Sequence, residues 1–414
     1  MQRLLILGKV WPEPTSSAAG SRTLELMNLF GQNGWELLFA SPAAANENSA
    51  SLEIYKAGSK QVKINDSAFD QWMHEIKPDM VLFDRFTTEE QFGWRVHEYC
   101  PDALKVLDTI DLHCLRTARQ TALKAGRKMQ NSDLLQSDTA AREIASIYRC
   151  DISLMISQEE MRILREVFKV TPEILHYTPF LPDPANYHRV SEGLSFEERK
   201  HFISIGNFLH APNWDAVQQL KTNIWPLIRK KIPDAELHIY GAYADQKVLA
   251  LHAPKQGFII KGRAADAIQV MREAKVCLAP LRFGAGMKGK LLDAMMAGTP
   301  SVTTSIGAEA MHDSYNWAGA VCENDSEFSE AAVQLYTNRQ EWEGARENGH
   351  NILSTVFDTA THSKELTEKV TAVKQRLVEH RLENFTGTML RQQNNAATRY
   401  MALWIEEKNK TKNP

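Results

Sequence analysis

The sequence predicts an α/β protein of two successive domains, each built on a parallel β-sheet that helices cover. Short apolar runs alternate with longer amphipathic segments, which is the pattern of strand and helix units that wind into a parallel sheet. This alternation stops at a polar stretch near the middle of the chain and then begins again. A chain of 414 residues, 43% of them hydrophobic, also exceeds the roughly 250 to 300 residues at which a single core stops growing.

Five apolar runs predict the strands of the first domain, which we place at residues 1–186. The runs lie at residues 3–10, 35–42, 79–85, 105–111 and 151–157. A helix is expected at 22–33, and Gly34 ends it because glycine readily adopts the left-handed conformation that follows a helix. The proline-rich segment 173–184 closes this half.

The polar stretch at 187–200 predicts a linker, and a second α/β domain is expected at 201–356. Its predicted strands lie at 201–207, 235–241, 257–263, 275–281 and 301–305, and its clearest helices at 213–230 and 288–298. Two such sheets in tandem face a cleft, where strand ends and helix N-termini meet a shared ligand.

Residues 357–414 are polar and helical, which predicts a C-terminal helical extension. Apolar residues recur at helical spacing in 366–382. We favour helices packed on the surface of a domain. Contact with a second copy of the chain or with a membrane surface stays open, because amphipathicity alone distinguishes poorly between them.

The composition narrows the classes of partner and the location. The net charge of −3 and the isoelectric point near 6.5 argue against nucleic acid as a partner. The five cysteines are widely spaced and are expected to be reduced core thiols. Without an apolar run of ~18 residues or a signal peptide, we expect a cytoplasmic protein, with attachment to the inner face of a membrane left open.

The loop RFGAGMKGK (282–290) is the strongest candidate for a binding site. It joins an apolar strand to a helix, and its glycines leave backbone N–H groups free to approach an anion at the helix N-terminus. Lys288 and Lys290 lie where the helix dipole disfavours cations, and Arg282 is close by. A diphosphate would account for this pattern. A glycine-rich turn with solvated lysines is the alternative, and spacing alone does not separate the two.

Asp293 lies further along the same helix. A carboxylate there could accept hydrogen bonds from the ribose of a nucleotide whose phosphates bind at the helix start. The alternative is an ion pair with Lys290 at i, i+3.

The segment RFGAGMKGKLLDAMMAGTPSVTTSIGAEAM (282–311) resembles the donor-site signature of retaining GT-B glycosyltransferases, particularly those of family 4. FISIGNFLHAPNWDAV (202–217), LILGKVWPEPTSSAAGSR (5–22) and VLDTIDLHCLR (106–116) are similar to other segments of that family. The matches cover most of residues 1–350. They imply two Rossmann-like domains and transfer of a sugar from a nucleoside diphosphate donor, UDP or GDP type, to an acceptor hydroxyl. Retention, with neither metal nor cofactor, is also implied.

The resemblance implies roles for residues of the second domain. Gly284, Gly286 and Lys288 would contact the diphosphate, Asp293 the ribose and Glu309 the donor sugar; Gly206, Asn207 and Arg263 would line the donor site. The sequence departs from the family at Ala285, where a glutamate is usual, and it lacks the family's Arg and Lys pair after the second domain's first strand. Lys288 or Arg282 would supply that charge.

In the first domain, the resemblance places Gly20 and Arg22 at an acceptor or phosphate loop. Asp108, Asp111 and His113 lie at the end of the predicted strand 105–111, and strand ends line the crevice of such sheets. Asp111 and His113 are therefore candidates for an acid or base at the acceptor hydroxyl. The alternative for Asp111 is a helix N-cap.

Three other functions stay open. A UDP-sugar 2-epimerase shares the two-domain architecture, and a sugar-nucleotide-binding protein without transferase activity would fit Ala285. A dehydrogenase is the least expected, because no G-x-G-x-x-G follows the first strand. The acceptor, whether a polysaccharide, a lipid-linked sugar or a small molecule, is not specified by these motifs.

Overall fold

The computed structural model describes residues 1–186 and 194–412, so the first half of the predicted linker lies outside the described residues. Two parallel sheets organise the chain, one of seven strands and one of six within these ranges. The predicted α/β class, the two Rossmann-like domains and the C-terminal helices are confirmed. Within the described ranges, no helix is long and apolar enough to cross a membrane.

The first sheet has the order β3-β2-β1-β4-β5-β6-β7, with every neighbouring pair parallel. Its strands are β1 (Arg3–Leu7), β2 (Glu36–Ser41), β3 (Gly58–Gln61), β4 (Met80–Asp84), β5 (Leu104–Asp108), β6 (Ile152–Met155) and β7 (Leu175–Tyr177). The helices between them are α1 (Ala18–Gln32), α2 (Ala68–Ile76), α3 (Phe86–Tyr99), α4 (His113–Lys124), α5 (Asn131–Leu135), α6 (Asp138–Arg149) and α7 (Gln158–Glu166).

The second sheet has the order β10-β9-β8-β11-β12-β13 and is also parallel. Its strands are β8 (Lys200–Ile205), β9 (Leu237–Tyr240), β10 (Phe258–Gly262), β11 (Ala274–Ala279), β12 (Ser301–Thr303) and β13 (Gly319–Val321). Its helices are α8 (Ala211–Gln219), α9 (Trp225–Lys231), α10 (Gln246–Leu249), α11 (Ala267–Glu273), α12 (Gly289–Met296), α13 (Ser305–Ala308), α14 (Asp325–Thr337) and α15 (Arg339–Thr355). Short 3-10 turns lie at Glu53–Tyr55, Pro172–Ile174, Pro184–Asn186 and Pro254–Gln256.

The central strands are buried on both faces, as the continuous apolar runs require. Side chains alternate between faces, so Leu5 and Val81 enter the core on one side of the first sheet. Leu4 and Ile6 enter the core on the other side. All five cysteines are buried free thiols, as expected from their spacing.

The sequence pattern does not predict three of the strands, and it predicts one continuous helix where the structure has two. β3 is exposed along its whole length, and β7 and β13 have three residues each, so none carries a long apolar run. The helix predicted at 213–230 is α8 and α9 joined by a π-helical turn at Leu220–Ile224. Pro226 lies in the first turn of the second part and has no N–H to donate to the preceding turn.

The C-terminal helices are α16 (Thr359–Gln375), α17 (Leu377–Glu383) and α18 (Phe385–Lys412). They return to the first domain and complete it. Leu366 and Val370 of α16 are buried in the same core as Leu4 and Ile6. The expected surface helices are therefore partly core elements, because α16 covers one face of the first sheet.

Candidate functional site

The glycine-rich loop between β11 and α12 faces the first domain. Gly284 has φ +158° and Gly286 φ +62°, backbone conformations that favour glycine. Lys288 is the N-cap residue of α12, and its ammonium donates to the carbonyl of Gly286. Burial lowers the pKa of Lys288 to about 8, against the opposing charge of Glu309. In the predicted anion-binding loop, the buried Lys288 ammonium thus binds a carbonyl group of the loop itself.

Gly286 allows the two domains to meet at this loop. A Cβ atom at position 286 would lie 2.9 Å from Cβ of Asp111 and 3.0 Å from the carbonyl oxygen of Ile110. Ile110 itself has φ +62°, a conformation that β-branched residues rarely adopt. Strain at the end of β5 therefore coincides with the point of closest approach.

Glu160 of α7 binds the loop from the first domain. Its Oε1 accepts from the backbone N–H groups of Gly286 and Leu112, each at 2.8 Å. The side chain is fully buried, and its Oε2 has no hydrogen-bond partner among the described residues. Burial, with the nearby Asp111, raises the pKa of Glu160 to about 8. The Glu160 carboxyl group thus accepts the hydrogen bond of the Gly286 N–H, which was predicted to bind a diphosphate.

Arg119 of α4 makes a second link between the domains. Its guanidinium donates to the carbonyl of Gly284 at 2.9 Å and to both carboxylate oxygens of Glu309, at 2.6 and 2.8 Å. Glu309, predicted to contact the donor sugar, is therefore held by the first domain in this structure.

Asp111 and His113 come together at the end of β5, opposite the loop. His113 Nε2 lies 3.4 Å from Asp111, which also pairs with Arg116. Burial lowers the pKa of His113 to about 4, whereas Arg116 and His113 outweigh burial and lower the pKa of Asp111. A neutral imidazole beside an ionised carboxylate can accept a hydrogen bond from a hydroxyl.

Asp111 is not the N-cap residue of α4, the alternative role that the sequence left open. Leu112 is the N-cap residue of α4. Glu143 accepts from the backbone N–H groups of His113 and Cys114, the first two of that helix.

Lys290 binds Asn213, and the described part of the chain shows no ion pair between Lys290 and Asp293. Lys290 Nζ donates to Asn213 Oδ1 at 2.7 Å and would lie 2.8 Å from a Cβ atom at Gly206. The carbonyl of Asn207 accepts from the Asn213 amide. Burial raises the pKa of Asp293 to about 7, and the like charge of Glu25 across the cleft adds to this. Lys290, Gly206 and Asn207 thus form one wall of the site.

Four predicted residues have other partners. Arg22 is buried and donates to Asp108 at 2.8 Å, and Arg282 donates to Asp215 at 2.8 Å. Gly20 lies against the backbone of Glu13, inside helix α1, so its small size serves packing. Arg263 is exposed and donates to the Thr15 hydroxyl of the other domain. The side chains of Arg22, Arg263 and Arg282 are therefore held by these partners in this structure.

Glu160, Arg119 and Arg116 were missed by the sequence reasoning. Glu160 follows Ser157 at the spacing of a capping box, so the sequence indicates a helix start there and not a site residue. In the structure Ser157 caps α7, while the Glu160 side chain turns towards the other domain. Only the fold brings these side chains to the loop.

Two Rossmann-like domains that meet across a cleft, with a glycine-rich loop at a helix N-terminus, define the GT-B fold. Residues 199–338, most of the second domain, match the family model described as Glycosyl transferases group 1. By this match the second domain is a glycosyltransferase domain, which confirms the predicted resemblance and the predicted class of enzyme. The assignment to family 4 stays a prediction.

Solved structures of low sequence identity share the whole architecture. Sucrose-phosphate synthase from Thermosynechococcus elongatus has a TM-score of 0.67 at 12% identity, over 90% of this chain and 99% of its own. Anabaena HepE in complex with UDP and glucose has a TM-score of 0.63 at 13% identity, over 90% of this chain and 100% of its own. WaaG, a glycosyltransferase involved in lipopolysaccharide biosynthesis, has a TM-score of 0.59 at 13% identity, over 88% of this chain and 98% of its own. No curated protein sequence matches this chain significantly.

Proposed function

We propose that this protein transfers a sugar from a nucleoside diphosphate sugar, of the UDP or GDP type, to a hydroxyl of an acceptor, with retention and without a metal ion or cofactor. The observation that carries the proposal is the loop at the N-terminus of α12. It places Lys288 and the backbone of Gly286 opposite Asp111, at the start of a helix inside a domain that matches Glycosyl transferases group 1. HepE, which shares the fold, was solved with UDP and glucose.

The departing diphosphate needs positive charge and N–H donors as its bond to the sugar breaks. Lys288 and the first amides of α12 supply both, and Lys290 stands beside Gly206 at the same helix end. The amide of Gly286 joins them once Glu160 releases it. The donor would therefore compete with a carboxyl group of the chain for the same hydrogen-bond donor.

The acceptor hydroxyl would lie on the first-domain side of the cleft. His113, neutral at pH 7, and the ionised Asp111 can accept its hydrogen bond and orient its oxygen. Closure of the two domains over the loop would exclude water that otherwise hydrolyses the donor.

The first test is a thermal-shift screen with UDP, GDP, ADP, TDP and their sugars, with and without EDTA. A nucleotide at about 100 times its dissociation constant should stabilise the fold by roughly 2.7 kcal/mol, and EDTA should not change this. Failure of every nucleotide to stabilise the protein would contradict the proposal. Products formed without acceptor distinguish transfer from 2-epimerisation, and binding without turnover of any donor would indicate a binding protein.

The second test removes single lysines. Lys288→Ala should weaken nucleoside diphosphate binding by roughly 10- to 100-fold, the value of a charge-assisted hydrogen bond. Lys290→Ala should weaken it less, because Asn213 already holds that ammonium. Lys255→Ala, an exposed lysine in the same domain, is the control. Equal losses at 288 and 290 would indicate a generic basic turn.

A further inference from the structure

Three cations stand at neighbouring strand ends of the first sheet, on the side of the cleft opposite the donor loop. Lys9 follows β1, Arg85 follows β4 and Arg116 lies in the first turns of α4, after β5. β1, β4 and β5 are adjacent and parallel, with Leu7 beside Phe83 and Phe83 beside Leu107. The carboxyl ends of parallel strands share one edge, so these side chains meet there. We call Lys9, Arg85 and Arg116 the cation cluster.

The backbone and two carboxylates fix the cluster in place. Asp84 accepts from the N–H of Lys9 at 3.3 Å, and its other oxygen lies 3.3 Å from Arg85 Nε. Arg85 has φ +71°, an uncommon conformation for a residue other than glycine. Arg116 pairs with Asp111, the residue that faces Gly286. The cluster is therefore continuous with the proposed acceptor side of the transfer site.

The charges of the cluster do not balance. Three cations face two carboxylates, Asp84 and Asp111, and no ion pair of the Lys9 ammonium occurs in the described part of the chain. Burial and the repulsion of Arg85 lower the pKa of Lys9, and Asp84 opposes this. Burial also lowers the pKa of His113 and of His210, which approaches from the second domain, to about 4 each. Neither imidazole adds positive charge at pH 7, nor does either neutralise the excess.

An excess cation held at the mouth of a substrate cleft attracts an anion. Guanidinium groups suit phosphate because their N–H groups match its oxygens in pairs, and an ammonium adds a point charge. We propose that the acceptor of this enzyme carries a phosphate or diphosphate group, which the cation cluster binds while the acceptor hydroxyl lies at Asp111 and His113. This inference rests on the proposed function.

The experiment titrates soluble probes into the full-length protein saturated with UDP, so that the donor loop is already occupied. The probes are glucose 6-phosphate, farnesyl diphosphate, glucuronate and methyl glucoside, with binding followed by calorimetry. We expect a phosphate probe to bind at least about tenfold more tightly than methyl glucoside. Preference for glucose 6-phosphate would indicate a soluble sugar phosphate, and preference for farnesyl diphosphate a lipid-linked acceptor.

The variant Lys9→Gln with Arg85→Gln should lose this phosphate binding by about tenfold or more. Lys124→Gln with Lys128→Gln removes the same charge from exposed positions of the same domain and is the matched control. Equal weakening in both variants, or equal binding of the phosphate probes and methyl glucoside, would overturn the inference. So would preference for glucuronate over both phosphate probes.

The same titration without nucleotide separates the inference from the proposed function. If no nucleotide binds but glucose 6-phosphate binds and is lost on Lys9→Gln with Arg85→Gln, the anion site stands and the transferase proposal fails. If UDP binds and no phosphate probe does, the transferase proposal stands and the anionic acceptor is wrong.

Discussion

Glu160 links the two domains at the cleft through its buried carboxyl group. One of its carboxyl oxygens accepts from Leu112 of the first domain and from Gly286 of the second, and so joins a loop of each domain. Its second oxygen is buried without a partner in the described structure. A buried carboxyl that accepts two amides but lacks a cation partner favours its neutral form. We therefore expect the stability of the closed cleft to depend on the protonation of Glu160.

Replacing Glu160 should change how stability varies with pH. The pKa of Glu160 is raised from 4.5 to about 8, so its stabilising protonation is complete below pH 4.5 and is lost as pH rises towards 8. Glu160→Gln keeps an oxygen acceptor but does not ionise. Between pH 5 and 8 the wild type should therefore lose stability relative to this variant, by roughly 3 kcal/mol, in urea denaturation.

Glu159→Gln is the matched control, because the neighbouring Glu159 is paired with Arg162 near the surface. It should follow the wild type at every pH. Parallel pH profiles for Glu160→Gln and the wild type would mean that Glu160 is ionised in the folded protein.

The site residues divide according to how far their partners lie along the chain. Gly286, Lys288 and Asp111 were predictable because each sits next to a strand end or helix start that the sequence pattern marks. Glu160 lies 126 residues from Gly286, and Arg119 lies 165 residues from Gly284. No local pattern encodes such a contact. Arg22 shows the converse, since its position beside a loop suggested a ligand while the fold gives it Asp108.

At the scale of elements, helix α16 shows why a polar C-terminal segment was underestimated. Only three of its 17 positions are buried, so its average composition resembles a surface helix. Leu366, Val370 and Val373 nevertheless form a buried stripe, spaced at three and four residues, against the first sheet. The periodicity predicted the helix correctly, but it could not say which domain receives the stripe.

Leu366→Ala should therefore destabilise the first domain as a core substitution does. Leu366 is fully buried, so loss of its side chain should cost roughly 2 to 5 kcal/mol in chemical denaturation. Val378→Ala is the control, since Val378 of α17 is 70% exposed and its loss should change stability by less than about 0.5 kcal/mol. A similar small effect at both positions would show that the C-terminal helices are detachable.

At the scale of the whole molecule, side-chain hydrogen bonds join the two domains across the cleft, beside shared apolar packing of Phe180 and Met287. Arg119 binds Glu309 and Gly284, Glu160 binds Gly286, and Tyr243 donates to Glu13 at 2.8 Å. Two of these contacts occupy groups that the proposed donor would need. If the donor binds as proposed, closure without donor and binding of donor would compete, and donor entry would require these links to open.

The Arg119 link provides the test of this competition. Arg119→Gln removes a largely buried ion pair between the domains and leaves Glu309 without its cation. The cleft should open more often, so the radius of gyration measured by X-ray scattering without nucleotide should increase. Hydrogen exchange of the backbone at 282–290 should become faster for the same reason.

The control for Arg119→Gln is Arg127→Gln, which removes an exposed pair with Asp133 within the first domain. It should leave both measurements at their wild-type values. Adding a nucleoside diphosphate should return the scattering profile of Arg119→Gln towards the closed form, because the ligand would then bridge the loop. An Arg119→Gln profile identical to the wild type, with unchanged exchange at 282–290, would show that the remaining contacts hold the domains closed without this ion pair.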